Sequence, residues 1–580
     1  AERARDSTMI AAIAIELGLW YWRTYDGMAH RRRAPYELPL PHLIDESESR
    51  RDLDHLAEAY FPKSANNSGE LDYLRASELF LIALRAEPGN GRAWMYSYTS
   101  LLALDAWDEL EAAARTRLRA VHNDAWAWMT MGLALHRLIK EAEAAHAFDR
   151  ALSIFSPTER RRLTRLSRLL RPEDSVRVAN MSDADRTSTE RAYWMIADPL
   201  MLTAENEHWL EFLSRVTHSE LMFTNEEFHQ RGADSPRGEV FIRYGPPHGI
   251  IATGPDIRGY YGHWWRYRDG LEFYFDLYGP TRMVDERSFA AQRRRYAARP
   301  SSFANVAITR SLLTVPVAIT RFRGPSDSTD IVVAAEFPLR PLTSGIDLNA
   351  GELRLALTTF GGSADSASRD GESLALDLRS ARAAQSLRRT WRHRFASTEM
   401  GLRVEALQVE SERGARAVAA VEAIPHSGFT MSDVLVADSV RAGSARDPRW
   451  SDLEFSATPG ELVAARQLGL VWETYDLGAD STRSSAYRVD IGLVRTDGSR
   501  IGRAVARVIG GTLGRGEGRG RDDRVTVSFE RRVPSRPVTL DYLTLDLGDL
   551  ASGRYRLTIT VTDLVTSATT ERERELTIVR

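Results

Sequence analysis

Five of the 13 histidines fall between positions 208 and 263, and several carboxylates lie among them or shortly after them. The histidines are His208, His218, His229, His248 and His263, and the carboxylates are Asp234, Asp256, Glu272 and Asp276. A histidine within hydrogen-bond reach of a carboxylate is what a general base needs, and it would suit hydrolysis of a polysaccharide or a peptide. A metal site is a weaker interpretation, because no H-x-x-x-H or H-E-x-x-H spacing places two ligands on one helix face. We therefore expect neither a metal nor another cofactor, and we name no catalytic residue.

Composition excludes several other chemistries. Cysteine is absent from the 580 residues, which rules out disulfides, thiolate metal sites and cysteine nucleophiles. The net charge of −3 provides no global field for nucleic acid or acidic lipid. Only Lys63 and Lys140 among the 77 basic residues are lysine, so an arginine cluster reflects composition before it indicates binding.

The aromatic residues of positions 263–267 and 271–277 form two β-prone runs. Asp269-Gly270 lies between them, and Asp-Gly in this position is a strong hairpin signal. Trp264, Trp265 and Tyr267 on this hairpin could stack on a sugar ring. The alternative is that at least half of these aromatic side chains belong to the core.

A strand is predicted just before the hairpin. Residues 239–244 alternate in polarity, with Val240, Ile242 and Tyr244 on one side, and this period of two is typical of a half-buried strand. Gly245-Pro246-Pro247 must end it, because prolines cannot continue a hydrogen-bonded ladder.

The elements before residue 180 repeat with a fixed period. Trp94 and Trp128 are 34 residues apart, and Phe80 and Phe148 are separated by twice that distance. Thirty-four is the length of the tetratricopeptide repeat, so we predict about three such helical pairs between residues 53 and 158. Repeats of this kind stack with a concave face. That face would dock a partner or, alternatively, the repeats would be a spacer that packs on the next domain.

Other helices are predicted around these repeats. Residues 5–33 are amphipathic, and residues 38–43, with two prolines, are a linker. Residues 159–171 combine leucines at helical spacing with six arginines, which predicts one helix with a basic face. That face suits an anionic partner, although a solvated capping helix is favoured. Helices are also expected at 189–197 and 206–215, and at 224–231, where Thr224 and Glu227 form a capping-box pattern.

From about residue 300, short β-prone runs alternate with turns. The regular spacing predicts two antiparallel β-sandwiches of immunoglobulin type. The clearest strand is 555–563, which should point Tyr555, Leu557, Ile559 and Val561 inward. Residues 361–371 and the glycine-rich segment 510–523 are predicted to be loops.

The centre of the chain resembles the GWxTD-domain family of bacterial proteins. That family's signature, G-W-x-T-D-R-G followed by a strand and G-P-P, aligns with residues 232–247. Arg237, Gly238 and Gly245-Pro246-Pro247 match it, whereas Ala233, Ser235 and Pro236 replace the Trp, Thr and Asp. The W-x-Y pattern at Trp265 and Tyr267 extends the resemblance, and Tyr244 and Trp264 are further candidate interaction or structural residues. The family implies an architecture and brings no established activity.

These observations predict a chain that is helical first and β-rich afterwards. Its parts are N-terminal helices and a linker at 1–52, tetratricopeptide-like repeats forming an α-solenoid at 53–180, a GWxTD-like α+β domain at 181–300, and β-sandwiches at 301–426 and 427–580. Trp94 and Trp128 are structural signatures of the repeats. We expect a non-enzymatic scaffold that assembles with other proteins through its repeats and sandwiches.

Two alternative functions remain open. The first is a cell-envelope or carbohydrate-binding protein that uses the aromatic hairpin, and the second is a hydrolase with a histidine–carboxylate site in the central domain. We expect no nucleic-acid partner. The apolar run at 9–19 is interrupted by Glu16 and is too short to span a bilayer, so membrane association would require an anchor outside this sequence or a partner. The expected location is extracytoplasmic in a bacterium: the periplasm, the outer-membrane surface or the extracellular space.

Overall fold

The computed structural model of this protein describes most of the chain. The described residues are 2–29, 65–226, 228–253, 260–278, 283–284, 286–296, 298–345, 348–361, 367–396, 398–441, 448–459, 461–463, 467–497, 505–513, 516–519, 524–546 and 552–579. The chain divides into two units, Ala1–Arg310 and Ser311–Arg580. The first is mainly helical and the second consists mainly of antiparallel sheets, which confirms the predicted order of the two classes. The predicted linker at 38–43, Asp256 and Glu227 lie outside the described residues.

The first unit is built mainly of helices and contains a small sheet near its C-terminal end. The helices before that sheet are α1 (Glu2–Ala29), α2 (Ala65–Ala86), α3 (Gly91–Ala103), α4 (Trp107–Ala120), α5 (Ala125–Arg137), α6 (Glu141–Ile154), α7 (Pro157–Leu163), α8 (Pro172–Ala179), α9 (Asp183–Ala197), α10 (Glu207–Phe223) and α11 (Pro236–Tyr244). After the sheet come α12 (Glu286–Tyr296) and α13 (Ala307–Ser311). No helix in the described residues is long and apolar enough to span a bilayer.

The 34-residue period is visible in two helical hairpins, α3–α4 and α5–α6. Asn90 and Asp124 cap the first helix of each pair, because each side chain accepts a hydrogen bond from the backbone N–H three residues later. Asp105 and Ile139, also 34 residues apart, both adopt positive φ angles, of 53° and 60°, in the turn between the two helices. Residues at equivalent positions therefore have the same structural role in both hairpins, one as a helix cap and one in the turn.

The two tryptophans that suggested the period make the same contact. Trp94 Nε1 donates to Pro88 O and Trp128 Nε1 donates to His122 O, each at 2.9 Å. Each indole thus ties the first helix of its hairpin to the segment that precedes it. Both rings are half-buried and pack on the helical core, so their role is structural.

Helix α1 forms a further pair with α2. Gly18 of α1 lies against Phe80 of α2, where an added Cβ would meet the ring at 2.6 Å. Gly132 of α5 lies against Phe148 of α6 in the same way, at 2.7 Å. The α1–α2 pair therefore uses the same small-to-large contact as the later hairpin, with its first helix taken from the start of the chain, outside the predicted span 53–158.

Helix α10 covers the first helices of both hairpins. Thr99 of α3 donates its hydroxyl to Leu221 O at 3.0 Å, and Arg137 at the end of α5 donates to Glu211 at 3.1 Å. Thirteen of the 17 residues in α10 are buried. The repeats therefore pack on the following domain on this side, which was one of the two alternatives for their role.

The small sheet has the order β1 (Gly249–Thr253), β2 (Tyr260–Arg266), β3 (Glu272–Tyr278) and β4 (Met283–Val284), with every pair antiparallel. The predicted hairpin is confirmed, because β2 and β3 pair around a turn in which Gly270 has a φ of 76°. One face of the sheet packs on α11 and α12 through Phe241, Trp265, Phe275 and Phe289.

The predicted strand at 239–244 is wrong, because these residues form helix α11. Ser235 caps its start by accepting a hydrogen bond from Gly238 N at 3.0 Å, and Pro236 follows at the first helical position. Gly245, with a φ of 77°, ends the helix. The apolar residues at 240, 241 and 244 share a helical face toward the sheet, which also explains their spacing.

Two other helix predictions need correction. Residues 159–171 are interrupted at Thr164, since α7 ends at Leu163 and a short 3₁₀ turn spans Leu166–Arg168. Residues 224–231 do not form a helix in their described part, because Asn225 and Gln230 pair as an antiparallel bridge. The helices predicted at 189–197 and 206–215 are confirmed within α9 and α10, and the latter is capped by Asn206.

The second unit begins with two facing sheets. The strands are β5 (Leu313–Thr314), β6 (Val317–Arg323), β7 (Thr329–Phe337), β8 (Ala350–Phe360), β9 (Ala367–Asp377), β10 (Leu387–Phe395), β11 (Glu399–Gln408) and β12 (Arg413–Glu422), with short helices α14 (Leu339–Leu342) and α15 (Leu378–Ala383). The order β10-β7-β6 faces the order β5-β12-β11-β8-β9 across one apolar core. Strand β9 covers the end of the loop predicted at 361–371, so that prediction is wrong from Ala367 onward.

A second pair of sheets follows. The strands are β13 (Thr430–Met431), β14 (Leu435–Arg441), β15 (Glu454–Ala457), β16 (Glu461–Val463), β17 (Gln467–Tyr475), β18 (Ser484–Arg495), β19 (Val505–Gly511), β20 (Gly516–Arg519), β21 (Arg524–Pro534), β22 (Val538–Asp546), β23 (Gly553–Asp563) and β24 (Thr569–Val579). The order β15-β14-β17-β22-β19-β20 faces the order β16-β24-β23-β18-β21. Tyr555, Leu557, Ile559 and Val561 are buried as predicted. The loop predicted at 510–523 contains β20, which pairs with β19, so the loop is shorter than predicted.

Candidate functional site

The residues of the central signature line a cleft of about 430 Å³. Tyr244, Pro246, Pro247 and Tyr267 form part of its wall, and His248 and Asp269 border it. The cleft therefore brings together four of the residues singled out in the sequence and one of the five clustered histidines.

Two side chains lie against Gly245 at the edge of this cleft. The hydroxyl of Tyr267 donates to Gly245 O at 3.0 Å. On the other side, a Cβ on Gly245 would lie 2.8 Å from Arg215 Nη2, and the φ of 77° also disfavours any larger residue. Glycine is required here because the chain must turn out of α11 directly against a buried arginine.

Arg237 and Gly238 are structural residues. Arg237 is buried, and its guanidinium lies over the ring of Phe223 at 5.0 Å from the centroid. A Cβ on Gly238 would come 1.9 Å from the carbonyl oxygen of Gly232, and a Cβ on Gly232 would come 1.9 Å from Ser219 O. Gly238 thus lets α11 pack against the 3₁₀ turn Gly232–Asp234, and Gly232 lets that turn pack against α10, in both cases at backbone contact.

A buried ionic network lies behind the cleft. Glu211 and Arg215, one turn apart on α10, are fully buried, and Arg215 Nε donates to Glu211 Oε1 at 2.7 Å. Arg215 also donates to Ile242 O at 2.9 Å and to the side-chain oxygen of Asn305, which lines the cleft. The network therefore connects the helical repeats, α10, α11 and the cleft wall.

His136 joins this network between two carboxylates. Its Nδ1 lies 2.6 Å from Glu141 Oε2 and its Nε2 lies 3.0 Å from Glu211 Oε2. Burial lowers the pKa of His136, but the two carboxylates outweigh burial and raise the pKa above its usual value. For Glu211, burial opposes ionisation, whereas Arg137, Arg215 and His136 hold its pKa well below the usual range. No local sequence pattern indicates this pairing, because His136 and Glu211 are 75 positions apart.

The raised pKa of His136 predicts a pH-dependent stability. Its stabilising contribution should be complete below the unfolded-state pKa of about 6.5 and should be lost as the pH rises through the higher folded-state value. We expect the free energy of unfolding of the helical unit to fall as the pH rises above about 6.5. Denaturant titrations followed by circular dichroism at 222 nm would measure it. His136→Gln should flatten this slope, and an identical slope in both proteins would contradict the assignment.

The five clustered histidines do not come together. His208 stacks on Phe303 at 4.6 Å and contacts Thr309 Oγ1 at 2.7 Å, whereas His218 stacks on Phe241 at 4.1 Å. His229 lies in the turn after α10, and His263 is buried on the inner face of the sheet opposite Phe275. Across the part of the chain that the structure describes, no three histidine, aspartate or glutamate side chains form a group able to hold a metal ion.

The remaining histidine, His248, faces an arginine. Arg268 Nε donates to His248 Nδ1 at 3.4 Å, and Asp269, the carboxylate on the same wall, accepts a hydrogen bond from Leu271 N at 3.2 Å. His248 and Asp269 thus both contact residues of the hairpin turn. They do not form the histidine–carboxylate pair that the hydrolase hypothesis requires.

The outer face of the small sheet carries an exposed apolar row. Ile251 pairs with Trp264 across β1 and β2, and Trp264 pairs with Tyr274 across β2 and β3. Their exposed fractions are 45%, 37% and 44%, whereas the neighbouring Trp265 is only 2% exposed. Arg266 lies over the Trp264 ring at 5.3 Å from its centroid. We call Ile251, Trp264, Tyr274 and Arg266 the open-face row.

No family model matches this sequence. No curated protein matches it either. The candidate site therefore depends on geometry alone: a signature cleft built on a buried ionic network, and an open-face row on the adjoining sheet.

Sequence reasoning identified only part of this site. Trp264 and Trp265 were grouped, but the sheet separates them, because successive residues of a strand point to opposite faces. Ile251 and Tyr274 were not singled out. The antiparallel register of the Asp-Gly hairpin, which puts Trp264 opposite Tyr274, is the signal that would have found the second of them.

Proposed function

We propose that this protein is a non-enzymatic, extracytoplasmic scaffold that binds another protein through the open-face row of its small sheet. The observation that carries this proposal is the exposure of Ile251, Trp264 and Tyr274 side by side in one cross-strand row. Trp, Tyr and Arg are the residues that most often dominate binding energy at protein interfaces. The row combines all three types with an aliphatic neighbour.

The first helix extends the apolar surface. Met9, Ile10, Ile13 and Leu17 lie on the side of α1 opposite its contact with α2, and each is about half exposed. Helix α1 also lies against β1, the strand that carries Ile251. Two neighbouring elements thus expose large apolar side chains, and surfaces of this kind mark interaction sites in soluble proteins.

The finer architecture supports the same proposal. The 34-residue period, the matching caps and the small-to-large contacts support tetratricopeptide-like repeats. The two pairs of facing antiparallel sheets support immunoglobulin-like sandwiches, and the Arg237-Gly238 and Gly245-Pro246-Pro247 segments support membership in the GWxTD-domain family. Repeats and sandwiches most often serve binding and spacing. Because α10 covers the first helices of two hairpins, we place the partner surface on the sheet and α1.

Binding of a glycan is the second candidate. The exposure of Trp264 and Tyr274 is what sugar stacking requires, and this observation favours the candidate over the hydrolase. However, the guanidinium of Arg266 covers part of the Trp264 ring, which reduces the flat aromatic surface open to a sugar. A protein partner would also contact Arg266, so binding of a protein remains the first proposal.

Substitution of the open-face row tests the proposal. Full-length protein would capture partners from a cell-envelope extract of the source organism, and the captured partner would then be purified for titration. We expect Trp264→Ala and Tyr274→Ala each to weaken its binding by about 2 kcal/mol, or about thirtyfold. Ile196→Ala removes an apolar side chain of α9 that is more exposed than Trp264 or Tyr274, and it should leave binding unchanged.

The outcomes separate the two candidates. Loss of the protein partner in both open-face variants, with unchanged circular dichroism, supports the scaffold. Binding of cell-wall oligosaccharides by the native chain, lost in the same variants, would instead support the glycan candidate. If the native chain, Trp264→Ala and Tyr274→Ala bound the protein partner equally and also bound the oligosaccharides equally, both candidates would be contradicted.

A further inference from the structure

A second cleft in the first unit, of about 950 Å³, has charged walls in which arginine predominates. It lies where the 3₁₀ turn Leu166–Arg168, the start of α8, α11 and α12 come together. Its charged lining residues are Arg165, Arg168, Arg243, Arg293, Arg294, Asp234 and Glu239. Five guanidinium groups against two carboxylates leave the walls with three more positive than negative charges.

The carboxylate of Asp234 forms ion pairs with three arginines. Arg168 Nη2 lies 2.6 Å from Asp234 Oδ1, and Arg162 and Arg165 lie 2.9 and 3.1 Å from the same carboxylate. Burial opposes the ionisation of Asp234, but Arg168 and Arg162 outweigh it and lower its pKa. Arg162 also pairs with Glu159 at 2.8 Å and with Glu220 at 2.7 Å, so its charge is balanced behind the wall. Within the lining, Asp234 is shared by Arg165 and Arg168, and its single negative charge cannot neutralise both guanidinium groups.

Arg168 is the most deeply buried of the lining arginines outside α11. It is 6% exposed, and its Nη1 donates to Leu163 O at 3.0 Å. Among the described residues its Nε has no hydrogen-bond partner. Burial and the neighbouring Arg165 lower its pKa, against the opposing effect of Asp234. A buried cation with a spare donor is costly unless a ligand or water completes it.

The opposite wall belongs to α12. Arg293 Nε lies 2.9 Å from Glu239 Oε1, and both side chains remain partly exposed. Arg294, the next residue, is exposed and makes no ion pair within the described part of the chain. One exposed guanidinium therefore faces the cleft opposite a buried one.

We infer that this arginine cleft binds a small phosphate-bearing molecule. The planar guanidinium presents paired donors that match phosphate oxygens, and several arginines converge on one concave space. A volume of about 950 Å³ lies within the range of small-molecule sites, which favours a small ligand over a flat protein contact. This inference is independent of the proposed scaffold function, because it uses none of the open-face residues.

The phosphate could come from a soluble compound or from a lipid headgroup, and two assays distinguish these sources. In the first, full-length protein is titrated calorimetrically with sodium pyrophosphate at low and at raised salt. In the second, it is sedimented with vesicles of phosphatidylglycerol and, separately, of phosphatidylcholine. Binding of pyrophosphate indicates a soluble ligand, whereas binding of phosphatidylglycerol vesicles alone indicates a headgroup. Both interactions should weaken as salt increases.

Three variants make the test specific. Arg294→Glu should weaken binding at least about tenfold, because it replaces an unpaired cation by an anion. Glu239→Gln removes a carboxylate from the lining and should tighten binding about threefold, an effect that misfolding could not produce. Arg85→Glu, at an exposed site on α2, changes the net charge as Arg294→Glu does and should leave binding unchanged.

Two results would overturn the inference. The first is that neither pyrophosphate nor phosphatidylglycerol vesicles bind to the native protein. The second is that Arg294→Glu and Arg85→Glu weaken binding equally, since binding would then follow net charge and not the cleft.

Discussion

Replacing Glu211 by alanine is expected to destabilise the helical unit by about 3–5 kcal/mol. The substitution removes the carboxylate that Arg215, His136, Arg137 and Asn305 share, and Arg215 is fully buried. An unpaired buried guanidinium must lose its charge or draw water into the core, and both are unfavourable. The loss should appear first in α10, which connects the repeats to the central domain.

Denaturant unfolding followed by circular dichroism at 222 nm would measure this loss, because the signal at that wavelength comes mainly from the helical unit. Glu109→Ala is a matched control, since Glu109 is an exposed glutamate on α4 and its loss should change stability by less than about 0.5 kcal/mol. If both substitutions shifted the midpoint equally, the network would not stabilise the fold.

Gly238→Ala is expected to destabilise the same unit by about 3 kcal/mol. The added Cβ would lie 1.9 Å from Gly232 O, and the obstacle is backbone, which cannot rotate away as a side chain can. In an unobstructed helix the same change is favourable by up to about 1 kcal/mol, so the sign of the effect isolates the clash.

Gly91→Ala provides the comparison for this prediction. Gly91 begins α3, and the nearest atom to an added Cβ there is Arg117 Nη2, at 3.9 Å. Alanine at position 91 should therefore leave the thermal unfolding midpoint of the helical unit unchanged or raise it. If the Gly238→Ala protein were as stable as the Gly91→Ala protein, α11 would be able to move away from the 3₁₀ turn Gly232–Asp234.

Local signals predicted some elements correctly and misled for others. Asp269-Gly270 between two aromatic runs specified the hairpin, because its turn needs a positive φ at the glycine. Val240, Ile242 and Tyr244 alternate, yet they belong to helix α11, where a four-residue spacing also gathers apolar residues on one face. The capping sequence Ser235-Pro236 and the terminal Gly245 were the better guides to this segment.

Strand β10 is difficult to predict from its sequence for a different physical reason. Four arginines interrupt its sequence, so it lacks the apolar alternation of a typical strand. The structure places three of these arginines beside carboxylates: Arg388 contacts Glu336, Arg389 contacts Glu372 and Arg394 contacts Asp330. Ion pairs between strands thus replace apolar pairing along this edge.

The helical hairpins were predictable from the sequence, whereas the elements that pack around them were not. A period of 34 reflects contacts that recur within each helical pair, and these are local. The cover supplied by α10 comes from residues 207–223, and the partnership of His136 with Glu211 depends on that long-range packing. The open-face row likewise required the register between three strands, which spacing within one strand cannot provide.

The packing of α10 on the helical hairpins limits where this chain can be truncated. A fragment that stops after α6 would leave the apolar side chains of α3 and α5 open to water, and one that begins at residue 53 would remove the helix against which Phe80 packs. Such truncations should aggregate whether or not they contain a binding surface. The shortest soluble fragment of the helical half should therefore retain α1 and extend beyond Phe223, and point substitutions are the sounder way to locate a partner.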